Sequence, residues 1–343
     1  MLFFVKIESM FKDKTVAVIR NYLKYHKTKL SIGIIVGEEK YILSYYDKKQ
    51  CEVNEDLFDI GSLSKIFTSL LVLKGCSQRK ISLDDNICKY LSLKEGHYWT
   101  IGDLLRHKCD FHHLTPYQIV LKSLLRSGYS RRNLYEGITK ERLIKEINRR
   151  AKHISKRKYG YSDFATAILG LVLEKVNQSP FSTQMDSFIK EEFDLNHTKC
   201  INEEMVRTES SIKEHTISPW KWEKNNPYIA GGGMASTIKD MVSFMKQLIK
   251  RKDDDFIKKS FATTEEEIEH NLTYFLSKRK KSFWHVGGAG TFRSSMIINP
   301  NRQIGVIVLG NQVGRLNGNV HYLAKMIYTD IRRHKLQMDS VVR

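Results

Sequence analysis

The sequence predicts a mixed α/β (α+β) protein, in which a central antiparallel sheet flanked by helices is assembled from both ends of the chain. Two observations predict this fold. Segments rich in β-forming residues occur near the start, at 30–36 and 41–46, and again near the end, between 272 and 309. Between 82 and 220 the signals are mostly those of helices and loops. Strands, a helical insertion and further strands are typical of one sheet with an inserted, mainly helical lobe.

The length and composition of the chain fit one compact unit. It has 343 residues, of which 41% are hydrophobic and 28% charged, as in ordinary globular proteins. We expect a single domain over residues 1–343. Within it, residues 1–80 and 231–343 would form an α/β lobe, and residues 81–230 a helical lobe that makes the second wall of a cleft.

The first elements follow from hydrophobic periodicity. Residues 11–27 have the apolar spacing of an amphipathic helix. The segments 30–36 and 41–46 predict a hairpin. A helix is expected to open at Ser62, because apolar residues recur at helical spacing from Ile66 onward.

The remaining elements are predicted in the same way. In the helical lobe the clearest helical pieces are 121–125, 142–147 and 164–176. Ser236 is expected to cap a helix with one apolar face. Four strands, a turn at Asn299–Asn301 and a last helix complete the chain; these strands and the helix are predicted at 272–276, 282–285, 292–298, 304–309 and 320–332.

The net charge of +19 and the isoelectric point near 9.5 suggest a polyanion as a possible partner. However, the basic residues are spread through the chain and no nucleic-acid-binding motif accompanies them. We therefore expect a solvated basic surface and no nucleic-acid partner. A polyanion-binding protein remains an alternative class.

The cysteines and the chain start bear on the compartment. The five cysteines are scattered without paired metal-ligand spacing, which favours free thiols in a reducing compartment and no metal site. The first apolar run is too short for a signal peptide, and no apolar segment is long enough to span a bilayer. We expect a cytoplasmic location, or an extracytoplasmic one if the N-terminus is incomplete.

The stretch 59–67 contains a serine followed three residues later by a lysine, Ser62 and Lys65. On a helix these side chains share one face, so the amine lies within reach of the hydroxyl. Near a helix start, free backbone N–H groups also favour an oxyanion. Taken alone, the pattern is more typical of a serine that caps a helix.

Two later segments strengthen the catalytic interpretation. Tyr161-Ser162-Asp163 precedes an apolar helix, and His285-Val286-Gly287-Gly288 precedes an apolar strand. With the Ser-x-x-Lys stretch they form a three-part signature that resembles the serine β-lactamases and penicillin-binding proteins, in particular the branch of class C β-lactamases, D-alanyl-D-alanine carboxypeptidases and esterases. The resemblance covers residues 30–312 and includes a glycine turn at 231–237.

The resemblance implies the β-lactamase/transpeptidase-like fold and a serine hydrolase without cofactor or metal, acting on a small-molecule or peptide substrate. Ser62 would be the nucleophile that forms an acyl-enzyme on an amide or ester. Lys65 and Tyr161 are both candidates for the base. The backbone N–H groups of Ser62 and Gly288 would bind the oxyanion. Gly287 and Gly288 would let substrate approach the strand edge.

Two departures from the family pattern bear on activity. His285 stands where many relatives have lysine, and its imidazole would hydrogen-bond Tyr161 or a substrate carboxylate. Asp163 stands where the family usually has asparagine, and a carboxylate beside Lys65 favours the ammonium, which makes Tyr161 the base. The segment 155–160 also lacks the usual Pro-Gly turn. The alternatives are an acyltransferase or a catalytically inactive binding or regulatory protein; the oligomeric state stays open.

Overall fold

The computed structural model of the protein describes residues 15, 17, 19, 20, 22, 23, 27–46, 49–109, 133–151, 159–201, 220–263, 270–277, 281–313 and 320–341. The predicted helical piece at 121–125, and residues 155–158 of the segment without Pro-Gly, lie outside these ranges. The described residues between 15 and 23 are helical, as the periodicity of 11–27 predicts.

The central sheet is antiparallel and contains seven strands among the described residues, in the order β3-β2-β1-β10-β9-β8-β7. The two ends of the chain meet at its centre, because Lys27 pairs with Val313 and Val36 with Ile304. This confirms the sheet predicted from both termini. Its strands are β1 (Lys27–Val36), β2 (Glu39–Tyr46), β3 (Lys49–Cys51), β7 (Phe275–Ser277), β8 (Ser282–Ala289), β9 (Phe292–Asn299) and β10 (Ile304–Val313).

A smaller three-stranded sheet joins segments that are distant in the sequence. It has the order β4-β6-β5, and both outer strands pair antiparallel with β6. These strands are β4 (Phe58–Asp59), β5 (Lys199–Cys200) and β6 (Met234–Ser236). Because β4 immediately precedes Ser62, this sheet fixes where the Ser-x-x-Lys stretch begins.

The described helices lie against the large sheet, against one another, or in the inserted part of the chain between residues 101 and 193. They are α1 (Ser64–Ser77), α2 (Ile101–Leu105), α3 (Lys140–Ala151), α4 (Asp163–Asn177), α5 (Phe181–Phe193), α6 (Ile229–Gly232), α7 (Ile238–Lys250), α8 (Asp255–Phe261) and α9 (Val320–Val341). The predicted helices at 142–147, 164–176 and 320–332 are therefore confirmed.

Side chains alternate between two cores across the strands. Ile32 and Ile34 face α9 in one apolar cluster, whereas Ile35 belongs to the larger cluster that also contains α1 and α7. Helix α7 lies so close to β1 that a Cβ at Gly33 would be 2.2 Å from the Val242 side chain. The larger cluster extends into the helices between residues 140 and 193, so the sheet and those helices share one core.

Helix α1 lies inside that larger core. Ile66 and Leu70 on one side of it and Val72 on another are completely buried, and each such side chain contributes about 1.5–3 kcal/mol of hydrophobic stabilisation. A 3₁₀ turn, Gly61–Leu63, leads into the helix, so the regular helix begins two residues after Ser62. This burial gives the residues at its start a rigid support.

Two local predictions are wrong by a few residues. The cap of α7 is Thr237 and not Ser236, because the Thr237 hydroxyl accepts the N–H of Asp240 while Ser236 is in β6 and shares a hydrogen bond with Thr198. The strand predicted at 272–276 is confined to Phe275–Ser277. The two backbone N–H groups of Thr273 and Tyr274 bind the Asn271 side chain instead of a neighbouring strand.

Candidate active site

Ser62 lies in the 3₁₀ turn, directly against strand β8. Gly61 has a φ of +50°, and a Cβ there would be 2.6 Å from the backbone nitrogen of Gly288. Only glycine combines this conformation with so close an approach. Ser294 Oγ also donates a 2.8 Å hydrogen bond to the carbonyl of Ile60. The turn that carries the candidate nucleophile is therefore fastened to the sheet by β8 and β9.

Lys65 connects Ser62 with the opposite wall of the site. Its Nζ donates hydrogen bonds to Ser62 Oγ at 3.0 Å and to the Gly231 carbonyl at 2.5 Å, and it forms an ion pair with Asp163 Oδ1. Burial lowers the pKa of Lys65, but the charges of Asp163 and Tyr161 outweigh it, so the pKa lies above its usual value. Lys65 is therefore an ammonium, as predicted from Asp163.

Tyr161 comes from the loop that enters α4, where Ser162 caps the helix by accepting the N–H of Ala165. Its hydroxyl forms side-chain hydrogen bonds with Ser62 and Lys65, and Lys65 Nζ lies 5.1 Å from the centre of its ring. Burial raises the pKa of Tyr161, and the nearby ammonium only partly opposes this. Serine, lysine and tyrosine therefore meet, as the sequence predicts.

Asp163 is the first residue of α4 and is held from two sides. Besides the ion pair of Oδ1 with Lys65, its Oδ2 accepts a 2.5 Å hydrogen bond from the Tyr135 hydroxyl. The residue is only 8% exposed. Tyr135 is absent from the sequence prediction, since a single tyrosine at the edge of a loop carries no motif.

His285 lies near Tyr161 but does not have the predicted hydrogen bond to it. The ring centres are 5.9 Å apart, Nδ1 contacts the Val286 carbonyl at 2.9 Å, and Nε2 is buried and has no hydrogen-bond partner within the described parts of the chain. Burial, reinforced by the neighbouring His270, keeps the pKa of His285 well below its usual value. The imidazole is therefore neutral, and the predicted contact is wrong for this conformation.

Two more histidines, which the sequence did not single out, lie beside the same group. The centres of the His107 and His270 rings are 4.7 Å apart, and the ring of His107 lies 4.7 Å from that of Tyr161. Burial lowers the pKa of His270 to about 4 and holds that of His107 well below the usual value. The rings of His107, His270 and His285 are therefore uncharged at neutral pH.

Gly287 and Gly288 both lie within β8, which is longer than the predicted 282–285. A Cβ at Gly287 would be 2.0 Å from the Ile60 carbonyl oxygen, so glycine is required for β8 to pack against the turn. Strand β7 pairs with β8 only as far as Trp284. In the described sheet, residues 285–289 therefore pair only with β9, and their other edge lies beside the turn that carries Ser62.

Asp59 is a buried acid next to the same turn, and the sequence analysis did not identify it. It is 2% exposed, and its Oδ1 accepts the backbone N–H of Gly61 at 2.9 Å. Burial raises the pKa of Asp59 to about 7, against the effect of the backbone N–H groups of Gly61 and Trp220. The charge of Asp59 therefore changes near neutral pH, two residues before Gly61.

The side chains of Ser62, Lys65, Tyr161 and Asp163 thus lie together beside β8. This arrangement combines a hydroxyl, an ammonium, a phenol and a carboxylate, which are functional groups that acyl transfer uses. Among the described residues, no group of three or more His, Cys, Asp or Glu side chains is placed to hold a metal ion. The helices in the described ranges include none that is long and apolar enough to span a membrane.

Comparison with known families gives a match over most of the chain. The family model described as Beta-lactamase matches residues 16–325. Among curated proteins, "Protein flp" of Staphylococcus aureus (strain MRSA252) is 20% identical over 316 residues, which cover 84% of this chain and 59% of that protein. The chain therefore spans less than two thirds of the length of the curated relatives it matches.

Solved structures give the same fold at low sequence identity. The octameric penicillin-binding protein homologue of Pyrococcus abyssi has a TM-score of 0.69 at 21% identity, over 92% of this chain and 76% of that one. A class C β-lactamase has a TM-score of 0.72 at 15% identity, over 93% and 95% of the two chains. The β-lactamase/D-alanine carboxypeptidase of Yersinia pestis, complexed with citrate, has a TM-score of 0.71 at 16% identity, over 92% and 97%.

Proposed function

Since this chain belongs to the β-lactamase family, we propose that it is a serine hydrolase that forms an acyl-enzyme on Ser62. The observation that carries the proposal is the 3.0 Å hydrogen bond from Lys65 Nζ to Ser62 Oγ, in a pocket that also holds the Tyr161 hydroxyl. A serine that served only as a helix cap would bind backbone N–H groups. Instead, the Ser62 side chain contacts two groups that can move protons.

The proposed reaction begins with attack of Ser62 Oγ on the carbonyl carbon of an amide or ester. The reacting form is the one in which Tyr161 is a phenolate, and the hydroxyl proton passes to its oxygen, because the ion pair with Asp163 keeps Lys65 protonated and unable to accept it. Since burial raises the pKa of Tyr161, the amount of this form, and the rate with it, increases with pH. The carbonyl oxygen becomes an oxyanion that the N–H groups of Ser62 and Gly288 would bind. One such donor contributes about 2.7–4 kcal/mol to the transition state.

The intermediate then collapses with loss of the amine or alkoxide, which takes the proton back from Tyr161. Water subsequently attacks the ester carbon on Ser62, with Tyr161 accepting its proton, and Tyr161 returns this proton to Ser62 Oγ as the C–Oγ bond breaks and the acid product leaves. As substrate we propose a D-amino-acid peptide or a small ester, which would lie along the edge of β8 formed by residues 285–289. The neutral imidazole of His285 supplies no positive charge there for a substrate carboxylate.

Intact-protein mass spectrometry after treatment with a fluorophosphonate tests the proposal. We expect one added phosphonyl group on the wild type and none on Ser62→Ala, because phosphonylation requires an activated serine. Ser69→Ala removes another buried hydroxyl, further along in helix α1. It is the matched control and should label like the wild type. A wild-type protein that stays unlabelled, or a Ser62→Ala variant that labels equally, contradicts the proposal.

A further inference from the structure

A cluster of aromatic side chains lies beside Asp163 and takes no part in the proposed acyl transfer. Tyr135 stacks on Trp222 and on Tyr228, in both cases with the ring planes within 14° of parallel, and its ring centre is 4.5 Å from that of Tyr228. Trp220 packs against it edge to face. A tyrosine held between rings in this way has little rotational freedom, so its hydroxyl has a fixed direction.

The backbone of Tyr135 is fixed as well. Its N–H donates to Asn133 Oδ1 at 2.9 Å, and its carbonyl accepts a 2.7 Å hydrogen bond from Asn226 Nδ2. Asn226 also accepts the N–H of Tyr228 at 3.0 Å, so one side chain ties two of the stacked rings together. This scaffold aims the Tyr135 hydroxyl at Asp163 Oδ2, 2.5 Å away.

The two oxygens of Asp163 are therefore divided between two donors. Oδ1 faces the Lys65 ammonium and Oδ2 faces the phenol. Burial raises the pKa of Tyr135 well above its usual value, and the charge of Asp163 adds to this, so Tyr135 keeps its proton and donates a hydrogen bond at neutral pH. A fixed donor draws negative charge toward Oδ2 and away from Lys65 and Tyr161.

We propose that Tyr135 is a positioning residue of this site, which orients the Asp163 carboxylate toward Lys65 and limits how strongly its charge holds protons on Lys65 and Tyr161. The inference rests on the proposed function, since it concerns the proton transfer of the same serine. No bond to substrate is involved. Tyr135 acts only through Asp163.

The test is the pH dependence of the fluorophosphonate labelling rate of Ser62, measured for the wild type and for Tyr135→Phe. The phenylalanine keeps the stacked ring and removes only the donor, so the full charge of Asp163 acts on Lys65 and Tyr161 and both hold their protons more tightly. We expect the pH at which labelling becomes half-maximal to rise, and the rate at pH 7 to fall about tenfold, which corresponds to a displacement of one pH unit.

Tyr228→Phe is the matched control, because it removes the hydroxyl of the neighbouring ring in the same stack and leaves the 2.5 Å bond between Tyr135 and Asp163 in place. Its pH profile should coincide with that of the wild type. In an Asp163→Asn background the carboxylate charge is absent, so adding Tyr135→Phe should no longer move the profile upward.

The possible results separate the inference from the proposed function. If the wild type labels and Tyr135→Phe has an unmoved profile, or moves equally in the Asp163→Asn background, Tyr135 is only a structural aromatic residue and the inference fails. If Ser62 does not label even in the wild type, the proposed function fails first. Circular dichroism of both phenylalanine variants verifies that each is folded at the pH values compared.

Discussion

The two walls around Ser62 are built by different physical means. On the helix wall, Lys65, Asp163 and Tyr135 form a chain of charged and polar contacts, all within 3.0 Å of their partners. On the strand wall, His285 is uncharged, and β8 is placed by the close backbone packing of Gly287 against Ile60. The helix wall is therefore held by charged and polar contacts, and the strand wall by packing so close that it leaves no room for a larger side chain.

This difference assigns a separate task to each wall. A proton-transfer group must respond to its electrostatic surroundings, and the helix wall surrounds Tyr161 with an ammonium and a carboxylate. An oxyanion site must hold fixed donors with little reorganisation, and in the proposed mechanism rigid packing against the turn provides that on the strand wall. Changes of volume should therefore disturb the strand wall, and changes of charge or pH the helix wall.

The largest effect is expected from Gly287→Ala. The added methyl group would lie 2.0 Å from the Ile60 carbonyl oxygen, so β8 must move away from the turn and the Gly288 N–H with it. We expect fluorophosphonate labelling to slow by roughly 10²–10³-fold, the effect of losing one oxyanion donor. Stopped labelling reactions analysed by mass spectrometry measure this rate.

Gly96→Ala is the control for this change, because the new methyl group there would meet only ordinary contacts at 3.5 Å or more. It should label at the wild-type rate. If folded Gly287→Ala labels as fast as the wild type, packing of β8 does not define the oxyanion site and the contrast between the walls is wrong.

Asp163→Asn removes a charge from the helix wall and changes the side-chain volume little. It therefore tests the electrostatic contribution of that wall. Asp163 raises the pKa of both Lys65 and Tyr161, so its removal lowers both and displaces the pH profile of labelling to lower pH. The rate on the plateau should fall less than the roughly 10²–10⁴-fold that loss of a general base costs, because Tyr161 remains. An unmoved profile would show that Asp163 does not control the proton on Tyr161.

The charge-based wall was the harder one to predict from sequence. Lys65 follows Ser62 by three residues, so their contact is a local consequence of helical geometry. The contact of Tyr161 with Ser62, and the approach of His285 to Tyr161, were predictable only through the family resemblance. Tyr135 reaches Asp163 through a bond across 28 residues that depends on the stacked rings, and no local pattern encodes it.

The predicted end of β8 and the predicted cap of α7 are also wrong, because tertiary contacts that the local sequence does not show determine both. The pair Gly287 and Gly288 weakens β propensity, so the sequence ends the strand at residue 285, whereas packing against Ile60 continues it to Ala289. Ser236 and Thr237 are both good helix caps, and only the pairing of Ser236 within β6 decides between them. Tertiary contacts thus set what local propensity leaves ambiguous.

The smallest effect on labelling is expected from Asp59→Asn, which lies where the two walls join. The amide oxygen still accepts the Gly61 N–H, so the turn keeps its geometry, and the labelling rate should stay within about threefold of the wild type.

The free energy of unfolding should respond more strongly to Asp59→Asn than the labelling rate does. The pKa of Asp59 is raised from 3.8 to about 7 in the folded protein, so between these pH values the unfolded chain loses a proton that the folded chain keeps. Each pH unit in this window then favours unfolding by up to about 1.4 kcal/mol.

Urea unfolding of the wild type and Asp59→Asn from pH 4 to 8 measures this effect. Because asparagine does not ionise, the difference in unfolding free energy between the variant and the wild type should grow in favour of the variant from pH 4 to about pH 7 and then level off, reaching a few kcal/mol at most. Asp84→Asn, at an exposed carboxylate outside the turn, should show no such growth. If the two variants have parallel curves, the buried acid beside Gly61 does not titrate in this window, and the junction of the walls is insensitive to pH.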